Sequence, residues 1–214
     1  MFSRLREPIS GLTHAFGVVA SIAALVILVV LASLYSNTYN IVSFSVFGVS
    51  LILLYTASSV YHLVTTSEKS IRVLRRIDHS MIYVLIAGTY TPICLGPLRG
   101  PWGWSIFGVI WGLALVGILV KNLWFNAPRM LYTSFYIIMG WLIAIALFPL
   151  SKVLPQAGML WLFAGGISYT LGGIIYALKW PKINFKYFGF HEIFHIFILI
   201  GSFCHFWLML RYIL

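Results

Sequence analysis

Acidic residues are almost missing from this chain: Glu7, Glu68, Asp78 and Glu192 are its only four in 214 positions. Charged residues of both signs together make up 8%, about a third of what a soluble domain carries, which excludes a water-soluble enzyme or nucleic-acid-binding module. Cysteine is equally scarce. Cys94 and Cys204 both fall inside apolar runs, so they read as buried free thiols and no disulfide framework holds the chain. Alternating strands of about ten residues are also lacking, which excludes a membrane β-barrel. No internal repeat or low-complexity tract interrupts the sequence.

What fills the space is apolar: hydrophobic residues make up 61% and the mean hydropathy is +0.99. Runs of about 20 apolar residues, the length needed to cross a bilayer, lie near 12–34, 41–64, 77–97, 104–120, 131–150, 158–178 and 189–213. The expected fold is an all-α membrane protein, a single seven-helix transmembrane domain over residues 1–214. The first run is too long for the core of a secretory signal peptide, and six more runs follow it. Pro92, after Gly88, Thr89 and Thr91, predicts a kink or early end in the third helix. Gly165, Gly166, Gly172 and Gly173 recur in pairs seven residues apart, which predicts close helix packing. Trp102, Trp104, Trp180 and Tyr212 sit near span ends, where an interfacial belt is expected.

The net charge of +10 is a topology signal rather than a nucleic-acid footprint. Alternate connections give one side Arg4, Arg6, Lys69, Arg72, Arg75, Arg76, Lys121, Arg129, Lys179, Lys182 and Lys186, eleven basic residues, and the other only Arg99, Lys152 and Arg211. By the positive-inside rule the N-terminus is cytoplasmic and the C-terminus outside. The longest basic cluster, read as a loop over Ser67–Arg76, serves topogenesis, and anionic lipid headgroups are its expected partner.

Ionisable residues at membrane depth need a partner or a task. The seventh run opens with His191-Glu192-Ile193-Phe194-His195. A step of four residues turns about 400° on a helix, so both imidazoles leave one face, spaced to share a zinc ion. The string satisfies the H-E-x-x-H pattern of zinc peptidases, yet no acidic residue follows Glu192 and the only later histidine is His205, about 15 Å further along the axis. A third ligand must come from an earlier helix. His62 ends the second helix at the same depth, four residues after Ser58, and Asp78 and His79 open the third helix there too.

Zinc in catalytic sites commonly takes three protein ligands and leaves a fourth position for a water whose pKa falls to about 7. His62, His191 and His195 supply that set, Asp78 can orient or deprotonate the water, and Ser58 can hydrogen-bond it. Taken singly, His62 reads as a snorkelling interfacial residue and Asp78 as a helix cap or a partner for Arg75 or Arg76. Convergence at one depth favours the site. Glu192 turns about 100° from His191 and reads as a supporting residue or a partner for a basic loop residue. His14 starts the first helix at suitable depth, His79 points away from Asp78, and His205 reads as a hydrogen-bonded residue inside the bundle.

These residues resemble the hemolysin III branch of the progestin and adiponectin receptor superfamily, distantly similar to the alkaline ceramidases. The resemblance rests on GLTHAFG in the first helix, Ser58-x-x-x-His62 in the second, RIDHSMIYVLIAGTYTP around Asp78 and FHEIFHIF around His191 and His195. It implies seven helices with the N-terminus inside, zinc on His62, His191 and His195, Asp78 and Ser58 around the metal-bound water, and a bacterial inner membrane. The expected function is a zinc-dependent hydrolase of a lipid amide or ester. The alternative is a membrane-homeostasis regulator or sensor with structural zinc. A haemolytic pore-former, as the family name suggests, is disfavoured because such a toxin needs a soluble state that these apolar helices do not offer.

Overall fold

Backbone polar groups in lipid must be satisfied within the segment, and long apolar runs do so by coiling. In the computed structural model, which describes residues 5–124, 127–183, 185 and 188–214, each run is a helix and no sheet forms among the described residues. Helix α1 is Pro8–Tyr35, α2 Thr38–Leu63, α3 Glu68–Leu95 and α4 Pro101–Leu123. Helix α5 is Arg129–Ser151, α6 Gln156–Leu178 and α7 Phe190–Ile213. Six of them are long and apolar enough to cross a membrane. The exception is α3, whose first turns carry Glu68, Lys69, Arg72, Arg75, Arg76 and Asp78. Arg4 and Lys186, two of the basic residues counted above, lie outside the described residues.

One boundary departs from the sequence reading. The segment 68–76, expected as a basic loop, is the beginning of α3. The Ser67 hydroxyl caps it by accepting the Ser70 N–H at 3.2 Å, Glu68 sits in the positive first turn, and Arg72 lies 3.8 Å from Glu68 one turn on. Together these favour helix over loop. At its other end α3 runs three residues past Pro92 and stops at Leu95.

Sequential helices pack on one another, most extensively α1 on α2, α2 on α3, α3 on α4 and α6 on α7, and α7 also lies against α1. Small residues set these approaches. Gly165 meets His205 and Gly172 meets Phe194 and Phe197 of α7, while Gly166 faces Trp141 and Gly173 faces Ile137 of α5. The paired glycines thus seat α6 between two neighbours, as their spacing predicted. One apolar cluster joins Tyr83, Ile93, Ile110, Met139 and Leu208, and a second joins Leu28, Phe44, Phe47, Leu51 and Met209. Cys94 and Cys204 are free and buried. Outward, Val19, Ile145 and Phe148 are exposed, as lipid-facing side chains must be.

Helix α5 is not regular throughout. The Tyr90 hydroxyl of α3 accepts the Ile143 N–H at 2.8 Å and reaches the Met139 and Gly140 carbonyls at 2.9 and 2.8 Å. A side chain inserted into the ladder in this way loosens it, and Leu142–Ala146 adopts a 3-10 conformation.

Candidate metal centre

At the end of the bundle where α2 stops and α7 starts, the ligand atoms of His62, His191 and His195 lie within 4.8 Å of one another. His62 and His195 are each 1% exposed. Their rings face inward for separate reasons. His191 and His195 share one face of α7 by the four-residue step. His62, in the last turn of α2, is brought to them because α1 packs on both α2 and α7.

Residues of α1 and Glu7 directly before it orient the rings. Glu7 takes the Nδ1 of His62 through its carboxylate oxygen, and this hydrogen bond holds the Glu7 carboxyl below the ordinary carboxylate range. The Nδ1 of His195 donates to the Ser10 carbonyl at 3.1 Å, which leaves its Nε2 as the nitrogen able to bind. A histidine whose second nitrogen is fixed by a carboxylate or backbone carbonyl is the usual arrangement of a metal ligand. His14 adds a further restraint, lying parallel to His195 with ring centroids 3.6 Å apart.

The Nε2 atoms of His62 and His191 stand 3.3 Å apart. Two nitrogens about 2.05 Å from one tetrahedral zinc are separated by about 3.3 Å. The donor set and its spacing therefore fit a borderline-soft divalent ion, and three nitrogens from two helices leave one coordination position for another ligand.

Asp78 and Ser58 stand beside this cluster. Both are buried, the Ser58 hydroxyl is near enough to the Asp78 carboxylate to interact with it, and both line one cavity with His191 and His195. Asp78 lies in the third turn of α3, whose cap is Ser67, so the cap reading of Asp78 is corrected. The cavity runs inward between α3, α5, α6 and α7, with a volume of about 150 Å³ and a mainly apolar lining. That is room for on the order of ten waters, or for a slender chain.

Other residues take different places from those expected. Glu192 is taken up by hydrogen bonds: one carboxylate oxygen accepts the Gly189 N–H at 2.8 Å and the other the Ser10 hydroxyl, so it caps α7 and ties it to α1. His79 packs on Tyr132 with centroids 5.4 Å apart, and Tyr136 donates to its carbonyl at 3.1 Å. His205, expected to be hydrogen-bonded, has an Nδ1 with no partner among the described residues. Glu7 and Ser10 were not singled out in the sequence. The only signal for Glu7 was that an acidic residue directly precedes α1 in a chain with four.

An all-helical integral membrane protein with a largely buried three-histidine cluster at one end of an apolar cavity is the class these features define. The chain belongs to the haemolysin III family: the model of haemolysin-III related proteins matches residues 2–206. It is 45% identical over 212 residues to the hemolysin-3 homolog of Bacillus subtilis, covering 99% of this chain and 96% of that one. With hemolysin-3 of Bacillus cereus it shares 42% over 208 residues, 97% and 92% of the two chains. More distantly, it is 25% identical over 209 residues to the human monocyte to macrophage differentiation factor, 94% and 82% of the two chains. The apolar helices and the bacterial relatives put it in the bacterial plasma membrane.

Proposed function

We propose that this protein is a zinc-dependent membrane hydrolase that cleaves a lipid amide or ester. The observation that carries the reading is the joining of two features: imidazole nitrogens of the buried His62 and His195 and the half-buried His191 within 4.8 Å of one another, and an apolar cavity that starts at His191 and His195 and contains a carboxylate, Asp78. In this reading residues 1–214 form one transmembrane domain of seven spanning helices, with the N-terminus cytoplasmic and the C-terminus outside. The eleven-to-three division of basic residues supports that orientation.

His62, His191 and His195 would hold the zinc. Zinc bound there would supply a Lewis acid that lowers the pKa of a water to about 7. The Asp78 carboxylate then takes the proton that an attacking water must lose, and the Ser58 hydroxyl keeps that carboxylate turned toward the site. Glu7 and the Ser10 carbonyl hold the His62 and His195 rings in the tautomer that offers Nε2. The apolar walls exclude bulk water and accept acyl chain, while the headgroup stays near Arg75 and Arg129. Membrane lipids are the partner and substrate class.

A regulator or sensor with structural zinc is the alternative. Structural zinc sites are closed by four protein ligands, and three nitrogens here favour the enzyme. Purified protein loaded with zinc and offered ceramides, other N-acyl lipids and phospholipids tests the choice, with release of free fatty acid as the readout.

A further inference from the structure

The inner part of the cavity is apolar except at one point. Polar side chains that line it are consumed by the protein itself. Thr89 donates to the Leu85 carbonyl at 2.8 Å, and Thr170 donates to Gly166 at 2.7 Å while accepting the Trp141 indole N–H at 2.9 Å. The Tyr169 hydroxyl pairs with Ser202 at 2.9 Å, and Tyr90 is held by the backbone of α5. His205 differs. It is 5% exposed, it lines the cavity, and its Nδ1 has no hydrogen-bond partner among the described residues. The remaining unpartnered lining atoms, on His14, His79 and Thr133, belong to the end that holds the histidine cluster.

The fold makes room for this imidazole deliberately. A Cβ on Gly165 would lie 2.5 to 2.8 Å from three ring atoms of His205, so any larger residue at 165 would displace the ring. A buried polar group without a partner is destabilising, and an apolar side chain of similar size would avoid that cost. A ligand that supplies the missing partner would remove that cost.

His205 follows His195 by ten residues, which is about 15 Å along α7. A carbon chain with bonds of about 1.5 Å at about 111° advances about 1.25 Å per bond, so the ring sits roughly a dozen bonds from the cluster. We propose that His205 is a specificity determinant that selects lipid chains bearing a hydroxyl or keto group near mid-chain, at the position where the imidazole can donate to or accept from it. This rests on the reading of the cavity as an acyl-chain site. The neutral ring offers one donor and one acceptor, so either group is matched.

The test is equilibrium displacement of radiolabelled stearate from the purified protein in detergent by 12-hydroxystearate, 3-hydroxystearate and unlabelled stearate. The 12-hydroxy acid should displace about three- to tenfold better than stearate, the worth of one net hydrogen bond, and the 3-hydroxy acid should gain nothing that depends on His205. In His205→Leu the preference should vanish while stearate still binds. In His205→Gln, which retains hydrogen bonding, it should persist, and this separates recognition from damage to the fold. Equal displacement by stearate and 12-hydroxystearate in the wild type, or a preference that survives in His205→Leu, overturns the proposal and leaves the acyl-chain cavity standing. If no fatty acid displaces the label or binds at all, the acyl-chain reading itself falls, and this inference with it.

Discussion

The Nε2 atoms of His62 and His191 are 3.3 Å apart across 129 residues of sequence. Two imidazole lone pairs cannot face each other at that distance in a buried site without either a shared proton or a shared cation between them. Glu7, bonded to the Nδ1 of His62, directs its Nε2 at His191.

Metal analysis of the purified protein is expected to give about one zinc per chain, held by three histidines. His62→Ala, His191→Ala and His195→Ala should each remove it. His205→Leu should not, because of its distance along α7. Full zinc occupancy in the His62 variant would disconnect α2 from the site and refute the shared centre.

Glu7→Gln should weaken zinc affinity roughly ten- to a hundredfold, the usual effect of losing a group that orients a metal ligand. It also carries a pH signature. The hydrogen bond to His62 holds the Glu7 carboxyl below its ordinary value of about 4.3. Its contribution to stability is therefore complete above that value and is lost as pH falls through the lower folded one. Thermal melts of metal-stripped protein across this acid range should show the loss in wild type, and the Gln variant should lack it. Identical acid profiles would count against the contact.

Reactive cysteines or tags at the N-terminus, at Lys69 and at Lys182 should report cytoplasm, and the C-terminus the outside, as the basic residues require. A cytoplasmic C-terminus would mean that α3, the least apolar of the seven helices, does not cross.

Asp78→Asn preserves shape and hydrogen-bonding capacity but not basicity. Zinc content should be unchanged and release of fatty acid should fall by roughly a hundredfold or more. If no lipid is cleaved by the wild type, yet Asp78→Asn abolishes the protein's effect on membrane behaviour in cells, the sensor reading replaces the enzyme.

Much of the architecture was legible because it follows from one-dimensional signals. Apolar runs of bilayer length gave each helix to within a few residues except at the start of α3. There a hydropathy reading treats charge as loop, while Ser67 and Glu68 are a helix start by capping and dipole effects. The four-residue spacing of His191 and His195 and the common depth of His62 were likewise visible, since helix rise and pitch convert sequence separation into position.

The sequence by itself determined the membrane class, the helical segments and the ring pair on α7, because each depends on neighbours within one or two helical turns. Only the tertiary structure decided what surrounds them. Glu7 and Ser10 lie 55 and 185 residues from the histidines they hold, and no local pattern encodes which face of α1 meets α2 and α7. The same packing made Glu192 a helix cap tied to Ser10, set the His205 ring against Gly165 and left its Nδ1 without a partner among the described residues. Such assignments depend on which helices are neighbours and how they are rotated, a property of the whole bundle rather than of any one of its segments.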